Sequence, residues 1–397
     1  MLVLALAIVF LWATDARAQL SDNVVKIGVL NDQSGGYGDL GGPGSVTAAR
    51  MAVEDAGGSV LGKPIEIVFA DHQNKADIGV AIARRWFEYE NVDMAIGFDN
   101  SAVALAVEDL AASHDKIAIA AAVGSTAFTG KNCNANEASW LHDSYALTTS
   151  LAKSVVADGG DTWFFITVDY AFGHSMEADA AAAVEAAGGK VLGSVRHPLG
   201  TSDFSSYLLQ AQASGAKVVA FANGGGDMVN AVKQANEFGL TKTQSIVALL
   251  IFISDVHSLG LQAAHGLKFV TAFYWDRDDE SRAWSKRFFA RQGRMPTMAQ
   301  ASVYSAVRHY IAAIAAAGTD EPKAVMAKMR EMPVNDFYVK GAHLRLDGRL
   351  VHDMYFAQVK TPSESTKPWD YYKILGVIPG DQAFRPLAEA GCPLVAH

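Results

Sequence analysis

VVKIGVL at residues 24–30, followed directly by NDQSGGYGDLGG at residues 31–42, decides the fold. The first run is short and β-branched and reads as a buried strand. The glycine-rich turn leads into SVTAARMAVED, whose apolar spacing predicts a helix over 45–55. The same rhythm continues outward. Strands are expected over 64–70 (PIEIVFA), 92–97 and 117–122, with helices over 77–90 and 102–112. It then restarts, with helices over 145–157, 175–187, 204–214 and 227–238. The strands of this second unit are expected over 162–168 (TWFFITV), 190–196, 217–222 (KVVAFA) and 245–251. A helical block follows over 283–332, and strand pairs over 341–377 turn at Asp347-Gly348. Such alternation predicts an α/β protein with two doubly wound, Rossmann-like lobes.

Composition agrees and excludes some functions. A chain of 397 residues, 50% hydrophobic and 19% charged, exceeds one ordinary core. A net charge of −9 with no basic tract predicts no nucleic-acid partner. Residues 1–12 are almost wholly apolar, and Ala16-Arg17-Ala18 fits the small-x-small rule of a signal peptidase site. Residues 1–18 are therefore expected to be a signal peptide, the alternative being a buried first element, and the location is expected to be periplasmic. No later apolar run is long enough to span a bilayer. Cys133 and Cys392 are the candidate disulfide; the alternative is two buried thiols.

In open parallel sheets, ligands bind beyond the carboxyl ends of the strands. The loops there are the candidates. Tyr37 sits in the first loop, and Asn100 and Ser101 precede a helix, where they can cap it and face an anion. Ser125 follows the small residues after the fourth strand. In the second unit, DYAFG (169–173) and NGGGD (223–227) follow strands, and Asn223, Gly224 and Gly225 imply a close approach to the backbone. LLIF (249–252), ending in Phe252, is entirely apolar.

Catalytic signatures are missing. There is no H-E-x-x-H, no closely spaced cysteine pair, no Walker loop and no G-x-S-x-G. Gly36 to Gly41 formally matches G-x-G-x-x-G, and Asp71 ends the next strand, so an exported NAD-type oxidoreductase is a remote alternative. Its glycines begin too far beyond the strand for the dinucleotide fingerprint. No enzyme, metal or cofactor is expected.

The ordered set KIGVL (26–30) with SGGYG (34–38), AIGF (95–98) with Ser101, DYAFG (169–173), DFSS (203–206) and QANEFG (234–239) resembles the leucine/isoleucine/valine-binding protein family. These are type I periplasmic solute-binding proteins of ABC importers. The resemblance implies two lobes joined by three hinge crossovers and closing on a ligand. It implies lobe 1 from 19–142 plus 274–335 and lobe 2 from 143–273 plus 336–397. It also implies a monomer that delivers a small molecule to a membrane permease. By position, Tyr37 falls where the family sets an aromatic against the ligand, and Ser101 at the hydroxyl that bonds the ligand carboxylate, with Asn100 beside it. Ala122 and Gly124 fall on the segment completing that anion site, with Ser125 as substitute for an absent Thr at Gly124. Tyr170 or Phe172 matches the aromatic lid, and Gly225 falls near an aromatic absent here. The family's acid for a ligand ammonium falls near 249–252, which is apolar here. An unpaired buried ammonium is unfavourable. The expected ligand is thus an apolar or aromatic carboxylate, with a branched-chain or aromatic amino acid as the alternative.

Overall fold

The computed structural model describes residues 20–395; the expected signal peptide lies outside the described residues. Strand β1 (Val25–Asn31) leads through the glycine-rich turn into α1 (Gly42–Asp55). A short hairpin of β2 (Ser59–Val60) and β3 (Lys63–Asp71) precedes α2 (Ala76–Glu88), β4 (Met94–Gly97), α3 (Ser101–Ser113), β5 (Ile117–Ala120) and β6 (Glu137–Ser139). The first sheet has the order β2-β3-β1-β4-β5-β6 and is parallel except for β2. In β4 and β5 every residue is buried, as an interior parallel sheet covered on both faces requires. The register places Leu30 beside Gly97 and Gly97 beside Ala120, so the carboxyl ends of β1, β4 and β5 form one rim.

Helix α4 (Ser144–Ala157) opens the second unit, followed by β7 (Thr162–Val168), α5 (Ala171–Ala186), β8 (Lys190–His197), α6 (Ser205–Ala213), β9 (Val218–Ala222), α7 (Gly225–Glu237) and β10 (Ser245–Ala248). The second sheet is parallel, in the order β10-β9-β7-β8. Two short helices, α8 (Ile253–Leu259) and α9 (Leu261–Ala264), lead to β11 (Lys268–Thr271). Helices α10 (Asp279–Gln292), α11 (Met298–Ala317) and α12 (Pro322–Glu331) return the chain to the first unit. Arg287 on α10 bonds Asp55 at the end of α1, and Ser302 on α11 bonds the Ala121 carbonyl. Strands β12 (His343–Leu344) and β13 (Leu350–Val351) form the hairpin expected at Asp347-Gly348, where Gly348 takes a φ of 76°. Then β14 (Met354–Val359) and β15 (Tyr372–Ile378) extend β11 into an antiparallel sheet, and α13 (Gly380–Ala383) precedes the tail.

Several boundaries differ from expectation. The fourth strand of the second unit ends at Ala248, so residues 249–252 lead into α8. Helices α5 and α7 begin at Ala171 and Gly225, so the DYAFG and NGGGD segments are largely first helical turns. Neither start carries a side-chain cap, which removes the signal that marks a helix start in sequence. The segment after residue 336, expected in lobe 2, stays with the first sheet through Val351. Val334 bridges Ala342 there, and Ser139 of β6 bridges Arg349.

Three chain crossings connect the units, near residues 142, 273 and 352. Arg349 is buried beside them and pairs with Asp143 at 3.2 Å, and His352 bonds the Leu141 carbonyl at 2.9 Å. Cys133 and Cys392 are bonded, with Cα atoms 5.5 Å apart, which ties the tail to the loop after β5. A crosslink across 259 residues removes much chain entropy from the unfolded state, worth about 5.5 kcal/mol on a loop-closure estimate.

Candidate functional site

The rims of the two parallel sheets face each other across a narrow, nearly filled cavity of about 10 Å³. It is lined by Tyr37, Leu40, Asp99, Ser101, Ala122, Gly124, Tyr170, Phe172, Gly224, Leu250 and Phe252. A larger groove beside it is lined by polar groups such as Thr126, Arg345, Asp347 and Arg385, and is open to solvent. Only the smaller cavity lies at the strand ends of both sheets and is walled by aromatics, the usual character of a small-molecule site.

The first wall is built by a hydrogen-bonded loop. Asp32, directly after β1, accepts from the backbone N–H of Gly35 and Tyr37, both at 2.8 Å, and from Asn74 Nδ2 at 2.6 Å. This curls the glycine-rich turn and aims Tyr37 into the cleft, where the residue is 3% exposed. A Cβ at Gly35 would lie 2.7 Å from the Asp32 carboxylate, so glycine is needed for that approach. Asp99 accepts from Asn31 Nδ2 at 2.7 Å and from the Asp32 N–H at 3.3 Å. Burial pushes the Asp99 carboxyl up to about 7, opposed by the Asn31 hydrogen bond and reinforced by Asp32. Phe98 before it has a φ of 59°, an uncommon conformation for a bulky residue and one that recurs at functional loops. Ser101 is the first residue of α3, and its Oγ accepts from the Ser125 N–H at 3.3 Å.

The second wall is apolar. Phe172 and Tyr170 stand at the start of α5 with ring centroids 5.9 Å apart, and Leu250 and Phe252 come from the segment before α8. The two walls touch. The Tyr37 and Tyr170 hydroxyls are 2.9 Å apart, and the Gly226 N–H donates to the Gly36 carbonyl at 3.1 Å. Burial raises both phenols above their ordinary value, so both stay protonated. Away from the cavity, Thr126 bonds Ser175 at 3.0 Å.

Of the residues expected at the site, Tyr37, Ser101, Ala122, Gly124, Tyr170, Phe172, Gly224 and Phe252 line the cavity. Four others are engaged elsewhere. Asn100 caps α3, its Oδ1 accepting from Ala102 and Val103 N–H. The Ser125 hydroxyl accepts from the Ala127 N–H, and the residue faces the open groove. Asn223 is buried against His197 Nε2 at 3.1 Å. Gly225 leaves no extra room, because a Cβ there would meet the Gly36 carbonyl at 2.5 Å and the Tyr37 ring at 2.9 Å. At Gly124, too, a Cβ would lie 2.5 Å from the Phe172 ring, so a side chain there would force that ring to move.

Sequence reading missed Leu40, Leu250 and, above all, Asp99. GFDNSA (97–102) lies at a strand end, but its sequence marks Asn100 as a helix cap and carries no sign that Asp99 lines the cavity. Asp255 is the acid nearest to 249–252, yet its carboxylate accepts from the Phe252 N–H at 2.9 Å and does not line the cavity. In the glycine-rich turn, Asp71 accepts from Gln33 N–H, Ser34 Oγ and Gln73 N–H, so it serves the loop where a dinucleotide reading would want it for a ribose.

The comparisons with known proteins agree with this architecture. A family model described as periplasmic binding protein matches residues 24–366. A periplasmic binding protein from Burkholderia mallei is 49% identical, covers 94% of this chain and 99% of its own, and superposes with a TM-score of 0.92. A structure from Burkholderia xenovorans LB400, named a branched chain amino acid ABC transporter periplasmic ligand-binding protein, is 40% identical over 93% of this chain and 99% of its own, with a TM-score of 0.83. Leu/Ile/Val-binding protein homolog 6 of Brucella melitensis is 27% identical over 68% of each chain. The two facing parallel sheets, their three crossings and these matches together establish that the chain belongs to the periplasmic binding protein family, the solute-binding proteins of ABC transporters.

Proposed function

We propose that the protein binds a small apolar or aromatic carboxylate between its lobes and delivers it, as a periplasmic monomer, to the membrane permease of an importer. One observation carries the reading. Ser101 at the start of α3 stands across the cavity from Phe172, Tyr170, Leu250 and Phe252. A helix start whose hydroxyl keeps its own hydrogen to donate attracts a carboxylate, and a wall of rings and Leu favours an apolar body. In this reading the cavity serves capture of the ligand. The lobes hinge at the three crossings, with the third at residues 352–353, so that lobe 2 resumes at β14. Residues 1–18 serve as the export signal, and the Cys133–Cys392 bond suits an oxidising compartment.

A branched-chain amino acid is the second reading, favoured by the Asp99 carboxyl in the same cavity and by the name of the Burkholderia xenovorans relative. Scanning fluorimetry separates the two. Benzoate, 4-hydroxybenzoate and phenylacetate are expected to raise Tm by several degrees, since a ligand that binds only the folded state stabilises it. Stabilisation by leucine, isoleucine or phenylalanine, with no response to the acids, would overturn the carboxylate reading.

A further inference from the structure

Asp99 is the one ionisable acid or base among the residues lining the cavity other than the two tyrosines; no Lys, Arg or His is among them. It is 6% exposed and two residues from Ser101. Its hydrogen-bond donors are neutral: Asn31 Nδ2 and the N–H groups of Asp32 and Gly42. The groups facing it from the neighbouring elements add no positive charge. From β1 and its loop come Asn31, Asp32 and Tyr37, from α1 Gly42, and from α3 Ser101. From the second lobe come Tyr170 at the start of α5 and, behind both tyrosines, Asp227 on α7. A ligand carboxylate seated at Ser101 would therefore share a closed, cation-free cavity with a second carboxyl group. Two negative charges cannot both be desolvated there without compensation.

We infer that Asp99 couples capture to protonation: the cleft closes on a monocarboxylate together with one proton from solvent, shared between Asp99 and the ligand. This rests on the carboxylate reading above, and it makes Asp99 the residue that sets the ligand's permitted charge. A second carboxylate at that end of the ligand is refused. An α-ammonium beside the ligand carboxylate would replace the proton and abolish the coupling.

The sign follows from linkage. Burial in the closed cleft favours the proton on Asp99, and once the solution is acid enough to protonate it in the free protein, further acid leaves affinity unchanged. Above that point the free protein has lost the proton and binding must restore it, so Kd for an acid rises about tenfold per pH unit. Titration calorimetry with benzoate, 4-hydroxybenzoate and phenylacetate, in HEPES and in Tris, reads the proton directly. Uptake is expected to grow with pH, to near one proton per ligand at about pH 8. In Asp99→Asn the pH dependence of Kd should vanish, with a circular dichroism melt confirming the fold. If that variant does not fold, the wild-type proton count decides alone. Binding of any of the acids with no uptake at about pH 8 overturns the inference and leaves the carboxylate reading standing. Binding of leucine with none of the acids bound overturns both.

Discussion

The two walls of the cleft are built by different means. In the first lobe, side chains hold backbone: Asp32 and Asp99 gather six donors and fix the loop that carries Tyr37. In the second lobe, helices α5 and α7 begin without side-chain caps, and the wall consists of rings and glycine backbone. One wall is thus preorganised before any ligand arrives, and the other supplies shape. The difference assigns orientation of the ligand to the first lobe and exclusion of water to the second.

Three substitutions sharpen or break this division. Gly225→Leu attacks the meeting of the walls. A side chain there would need a φ of 57° and would drive into Gly36 and Tyr37, so closure should fail. The expected loss of affinity is about 100-fold, near 3 kcal/mol, read by calorimetry. Small-angle scattering should show a more open particle with ligand present. Retained affinity with a compact particle would mean that closure does not depend on this contact.

Ser101→Ala acts on the first wall alone. Losing the hydroxyl at the α3 start should weaken carboxylate binding about tenfold, or about 1.4 kcal/mol, with little change in Tm without ligand. An unchanged Kd would remove the anion site from this wall. The smallest effect is expected from Tyr170→Phe, which removes the hydroxyl contact to Tyr37 but keeps the ring. About 1 kcal/mol of closure is lost, so Kd should rise a few-fold. A loss as large as that of Ser101→Ala would show that the Tyr170 hydroxyl meets the ligand.

Much of this was legible in residues 24–42 and in the recurrence of their strand–loop–helix pattern. A β-branched run followed by a glycine turn and a helix has few solutions, and strand ends then locate the cleft. Tyr37, Ser101 and Phe172 were reachable that way. Asn100, Ser125 and Asn223 were reachable too, but their polar atoms are satisfied by capping, a loop N–H and His197. A sequence displays a polar side chain without displaying the partner that occupies it.

Sequence determined the α/β class, the two units, the hairpin at Asp347-Gly348 and the segments that face the cleft, because these depend on periodicity and turn chemistry along the chain. Tertiary structure decided the rest. It joined Cys133 to Cys392, kept the segment up to Val351 beside the first sheet, filled the space at Gly225 with the opposite lobe, and brought Asp99 into a cavity with no cation. Each of these depends on which distant groups share a buried volume, and burial there sets both packing and charge.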